Sequence, residues 1–189
     1  MRILLAVAIA TLLQACAAVN PNPNVGMRST DLAFSKGDCE AAKKLAEPAA
    51  QRGEPWAQYR MGALLIDEKC PNKSVKDVSV ALNWLAKAAC YESKTAWERG
   101  SELAVGPTGY FNSRASATNA AYMLSDLYLS LKRVGLAKYY LERIQGQYTE
   151  DEATYKKLSK RLAYIESLMM PEQLEAIKKE RADLCSTPS

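Results

Sequence analysis

The sequence predicts an all-α protein, a short solenoid of antiparallel helix hairpins. Three observations carry that expectation. First, Ala42, Leu45, Ala46, Ala49 and Ala50 stand at i, i+3, i+4, i+7 and i+8, so they share one helical face. The same spacing returns 39 residues later as Ala81, Trp84, Leu85, Ala88 and Ala89, and again as Ala120, Met123, Leu124, Leu127 and Tyr128. Second, an intervening helix type repeats at the same period. Ala57, Arg60, Met61, Leu64 and Leu65 are matched by Ala96, Arg99, Gly100, Leu103 and Ala104. Two helix types alternating at one period mark a helical-hairpin array, and alanine on the shared face lets stacked helices approach closely. Third, no segment sustains the two-residue alternation of a half-buried strand.

The elements follow in order. Arg2 precedes an uncharged apolar stretch over 3–13, which has the length and charge of a signal peptide and is too short for a stable membrane span. Leu13-Gln14-Ala15-Cys16 resembles the lipobox of bacterial lipoproteins. The resemblance implies cleavage before Cys16 and lipidation of its thiol, with several acyl chains for stable attachment. Ordinary cleavage after Ala15-Cys16-Ala17 is the alternative and would discard Cys16. Ala17 in place of aspartate after the cysteine resembles outer-membrane sorting in Gram-negative lipoproteins. Pro21 and Pro23, among three asparagines and no charge, read as an extended tether over 16–29, so folded structure is expected from Thr30 or Asp38. Asp38 is placed to cap the first repeat helix, which should end near Gly53, and Pro55 suits the first turn of the next. Asp77 is expected to cap the Ala81–Ala89 stripe's helix. "GPTGYFNS" at 106–113 reads as a loop. Beyond it, Ala137, Tyr140, Leu141 and Ile144 form one stripe, and Ala153, Leu158, Leu162, Ile165 and Leu168 another. Glu150 and Asp151 favour the start of the latter helix through the backbone dipole. Pro171 opens a last, more polar helix, as a terminal capping helix should be.

The chemistry is sparse. With 189 residues and no histidine, the chain has no Ser-His-Asp or Cys-His arrangement and lacks the commonest nitrogen metal ligand. It carries no Gly-rich phosphate loop and no His-Glu-x-x-His motif. No catalytic residue, metal ligand or cofactor site is therefore expected. Paired carboxylates, which a glycosidase would hold across a cleft, are the one remaining catalytic kit. A net charge of +4, reduced by one when Arg2 leaves with the leader, is too mild to argue for nucleic acid. Lys156, Lys157, Lys160 and Arg161 form a basic run that reads either as a solvated helix face or as a contact for anionic lipid or a partner. Trp84 occupies the repeat's core position. Trp97, beside its apolar stripe, and Tyr110 and Phe111, in the glycine-containing loop, are the candidate partner contacts.

Removing Cys16 leaves Cys39, Cys70, Cys90 and Cys185, an even number that suits two bridges in an oxidising compartment. Cys70 and Cys90 bracket a helix about 20 Å long, whereas a disulfide needs Cα atoms within roughly 7 Å. Cys39 opens one repeat helix and Cys90 closes the next, so parallel stacking separates them. The expected pairs are Cys39 with Cys70 and Cys90 with Cys185, the alternative being that one pair stays reduced.

The run from Ala57 to Cys90 resembles a Sel-like repeat, the longer-looped relative of the tetratricopeptide repeat. Ala57, Met61, Gly62, Ala81, Trp84, Lys87, Ala88 and Ala89 occupy the family's positions, while the loop between them, "EKCPNKSVKD", lacks the usual glycines. The resemblance is good over about 42–104, fair to about 146 and absent beyond. It implies a superhelical array and says little of function, since such arrays serve many partners. The expected organisation is a signal peptide over 1–15, a lipidated cysteine and tether over 16–29, and a repeat domain with C-terminal capping helices over 30–189. The expected role is a non-catalytic, protein-binding adaptor, anchored by lipid in the outer membrane and facing the periplasm. Its sharper form is an immunity protein that neutralises a type VI secretion effector. The alternative is an assembly factor bound to a subunit of a secretion, pilus or exopolysaccharide machine. A hydrolase using paired carboxylates is the remote alternative.

Overall fold

The computed structural model describes residues 23–70, 75–92, 113–170 and Cys185. Among them the protein is all-helical, with seven helices and no strand. They are α1 (Pro23–Ser35), α2 (Cys39–Gln51), α3 (Pro55–Ile66), α4 (Val75–Ala89), α5 (Ser113–Ser130), α6 (Val134–Gln145) and α7 (Ala153–Ser167). Each helix packs on the next in chain order, and α3 also meets α5 as α4 meets α6.

The first helix corrects the expected tether. α1 starts at Pro23, so 23–29 belong to the folded domain and Thr30 lies in the helix interior. Proline's fixed φ and missing N–H are harmless in a first turn, so the residue that reads as a helix blocker opens the helix instead. Thr30 is fully buried, with its hydroxyl donating to the Gly26 carbonyl at 2.8 Å. Asp38 does cap α2, its carboxylate accepting from the Ala41 N–H at 3.0 Å. On α2, Ala42, Ala46, Ala49 and Ala50 are buried, whereas Leu45 is 43% exposed and leaves the expected stripe. The helix ends at Gln51, and Gly53, at φ +87°, supplies the left-handed turn into Pro55.

The α3–α4 contact explains the alanines. A Cβ added to Gly62 would stand 2.5 Å from Leu85 Cγ and 3.1 Å from the Ala81 carbonyl oxygen. Helix α4 buries Ala81, Leu85, Ala88 and Ala89 completely, so glycine on one helix and alanine on the other set the close approach. Trp84 is half-buried against a cluster of Met27, Ala46, Ala49, Ala50, Trp56, Ala57 and Met61. Helix α4 begins at Val75, which moves Asp77 from the cap to the first turn. There its carboxylate still faces the positive end of the helix dipole.

Ala120, Leu124 and Tyr128 of α5 are buried as the period requires. The three in-phase helices nonetheless differ in neighbours. α2 lies between α1 and α3, whereas α5 packs directly on α3, α4 and α6. Ala137, Tyr140, Leu141 and Ile144 of α6 and Leu158, Leu162 and Ile165 of α7 complete the main core with α4 and α5. Ala153 and Leu168 are exposed and fall outside it, being at the first turn of α7 and just past its end. The helix expected over 96–104, residues 106–112 of the expected loop and, apart from Cys185, the expected last helix lie outside the described residues, and Ser113 is the first residue of α5.

Candidate functional site

Both cysteine pairs are bonded. Cys39, the first residue of α2, joins Cys70, which is buried with Ala42 and Leu64 in a small cluster of its own, and their Cα atoms are 5.8 Å apart. Cys90, just past the end of α4, joins Cys185 across a sequence separation of 95, with a Cα distance of 5.5 Å. The second bridge ties the far end of the chain to the main core.

Beside Cys90 the structure builds a polar clasp that no sequence motif announces. Arg114, in the first turn of α5, is only 4% exposed. Its guanidinium donates to the Gln147 carbonyl at 2.8 Å and to Glu152 Oε2 at 3.2 Å, and lies 4.1 Å from the centre of the Tyr148 ring. The Tyr148 hydroxyl bonds to that of Thr118 at 2.7 Å. The side-chain amide of Gln147 donates to the Tyr91 carbonyl at 2.6 Å. Arg143 pairs with Glu92 and reaches the Cys90 carbonyl. Gln147 therefore holds Tyr91 on one side and Arg114 on the other, so the α6–α7 corner joins the residues just after α4 to the first turn of α5. Glu152 also receives the Thr149 N–H at 2.8 Å, which fixes its carboxylate for Arg114. A buried cation is stable only when paired and hydrogen-bonded, and Arg114 has both kinds of partner.

A second buried cation, Lys138 on α6, is held between Glu142 and Glu166, the latter at 2.8 Å. Burial disfavours its charged form, but the hydrogen bonds its ammonium donates to the two carboxylates, with their negative charge, outweigh that and raise its pKa above the ordinary lysine value. Arg60 pairs with Asp31 and lies over the Phe34 and Tyr59 rings, joining α3 to α1. These groups are arranged to hold helices together. Among the described residues no group of three or more cysteines or carboxylates is placed to hold a metal ion.

Cys16, Trp97, Tyr110 and Phe111 lie outside the described residues. Trp56 is buried and donates its indole N–H to Glu54 at 2.7 Å. The Lys87 ammonium stands over the Trp84 ring, 5.0 Å from its centre. Of the basic run, Lys156, Lys157 and Lys160 are exposed, while Arg161 pairs with Asp126 and stacks on Tyr164. The clasp residues escaped the sequence reading because Arg114, Gln147, Tyr148 and Glu152 meet partners 30 or more residues away in the chain or at one corner's local geometry. No protein-family model, curated protein or solved structure matches the chain.

Proposed function

We propose that this chain is a lipid-anchored envelope protein whose Sel-like solenoid of helix hairpins binds another protein and catalyses no reaction. The observation that carries this reading is the stacking itself. Consecutive helices meet through small residues, with Gly62 against Leu85 and the alanines of α2 and α4 buried, in the manner of an array that exposes a long surface. Two disulfides favour an oxidising compartment, which agrees with export and with anchoring through Cys16. Among the described residues no helix is long and apolar enough to cross a membrane. In this reading attachment depends on the lipid, and the domain faces the periplasm from the outer membrane.

The partner is an effector that the chain neutralises or a subunit of an envelope machine that it helps assemble. In this reading the contact is made by Trp97, Tyr110 and Phe111, aromatic residues of the kind that anchor protein interfaces. Affinity capture of the full chain from detergent-solubilised membranes tests the proposal. One protein should be recovered in near-equal amount, and Tyr110→Glu with Phe111→Glu should release it without unfolding the helices. Recovery of the chain alone, or a partner indifferent to those substitutions and to Trp97→Glu, would overturn the assignment.

A further inference from the structure

At one end of the α5–α6–α7 group the surface is apolar and basic together. Two ion pairs fix the register. Asp126 of α5 meets Arg161 of α7, and Glu166 of α7 meets Lys138 of α6. Helix α6 returns from α5 after the three-residue turn 131–133, so α7 runs beside α5 in the same direction. Residues 164–170 therefore lie at the same end as 131–133. Leu131, Tyr164, Leu168 and Met170 are all there, between 48% and 61% exposed, and they are four of the seven exposed large apolar residues among those described. Lys132 and Arg133 are exposed at the tip of the turn. Among the described residues Asp126 is engaged by Arg161, Glu142 and Glu166 share Lys138, and no ion pair joins Lys132 or Arg133 to a carboxylate, so these two exposed cations carry the positive charge of the tip.

Lys132 adds an independent sign. It sits at φ +58°, the left-handed position after a helix C-terminus where glycine is the default residue. A lysine there keeps a cation at the tip at some conformational cost.

We propose that this end of the helix group docks on an anionic lipid surface, with Leu131, Tyr164, Leu168 and Met170 entering the headgroup region and Lys132 and Arg133 meeting lipid phosphates. A convex turn carrying apolar and basic side chains suits a soft interface, into which the apolar groups sink while the cations stay at headgroup level. The inference rests on the envelope location proposed above. The proposed lipid site precedes α1, and among the described helices α7 is the farthest from α1 in packing order, so the protein would lie along the membrane with an attachment at each end.

The test uses the chain from residue 16 onward with Cys16→Ser, which keeps every described residue and carries no lipid. Its outcome is thus independent of whether Cys16 is acylated, which palmitate labelling of the full chain reads separately. Flotation should show binding to phosphatidylglycerol vesicles that weakens with salt, and none to phosphatidylcholine vesicles. Lys132→Gly with Arg133→Gln should weaken binding by roughly thirtyfold. The melting temperature should be unchanged or higher, because glycine suits that backbone position. Lys43→Gln with Lys44→Gln, an equal loss of charge on α2, should bind as the parent does. The proposal fails if anionic vesicles are not bound, or if the two double variants weaken equally. It fails equally if the turn variant loses a captured protein while vesicles bind neither chain, since the occupant is then a protein.

Discussion

Gly62 decides how closely two helices can lie. Its missing side chain is filled by Leu85, so Gly62→Ala places a methyl group where Leu85 already stands. The expected loss is about 1–3 kcal/mol, since overpacking displaces the leucine or the backbone and exceeds the helix-propensity gain of alanine over glycine. Gly146→Ala is the control, because a Cβ there meets nothing closer than the Arg143 carbonyl oxygen at 3.6 Å. Chemical denaturation of both variants measures the difference, and equal stabilities would refute the close contact. At this scale the sequence was informative where one residue acts through its own helix. The Asp38 cap and the alanine faces follow from spacing alone. Leu45 was misplaced because periodicity assigns a direction but not the neighbour that covers it. Arg114 was missed because a buried arginine looks like a surface arginine until Gln147, Tyr148 and Glu152 are brought to it.

Among the elements, α5 and α6 form the centre of the main core, and their tyrosines report on it. Tyr128 and Tyr140 lie parallel with ring centres 5.9 Å apart, and both are buried. Burial, reinforced for Tyr140 by the neighbouring Tyr128 and Tyr139, pushes both phenols above the ordinary tyrosine value. The sign of the consequence is fixed by linkage. The unfolded chain releases these protons first as pH rises past about 10, while the folded chain still holds them. Their contribution to stability is thus complete below that pH and declines above it. Tyr140→Phe should therefore lose less stability than the parent between about pH 9 and pH 11, and parallel declines in the two proteins would contradict the burial. The α1 boundary shows what an element-level reading misses. Pro23 signals a break in an extended segment and an opening in a helix, and only the packing of Met27 against Ala46, Ala49 and Trp56 selects the second.

For the whole molecule, the chain's order of packing and its two covalent ties describe one connected object. The Cys39–Cys70 bridge closes a sequence separation of 31, whereas Cys90–Cys185 closes one of 95 and restrains the unfolded chain more, by about 1 kcal/mol of loop-closure entropy. Replacing Cys90 and Cys185 together by serine should cost about 2–5 kcal/mol, more than the same change at Cys39 and Cys70. Thermal melts under matched conditions decide this, and the reverse ranking would oppose it. The all-helical class was legible from periodicity. The direct contact of α5 with both α3 and α4 was not, since a repeat in phase does not fix which helices become neighbours. The central proposal is that this chain holds another protein at the envelope. Native mass measurement of the full chain released from membranes in mild detergent tests it most directly. The account predicts a lipidated chain in complex with one different protein, and a chain found alone or only with copies of itself would contradict it.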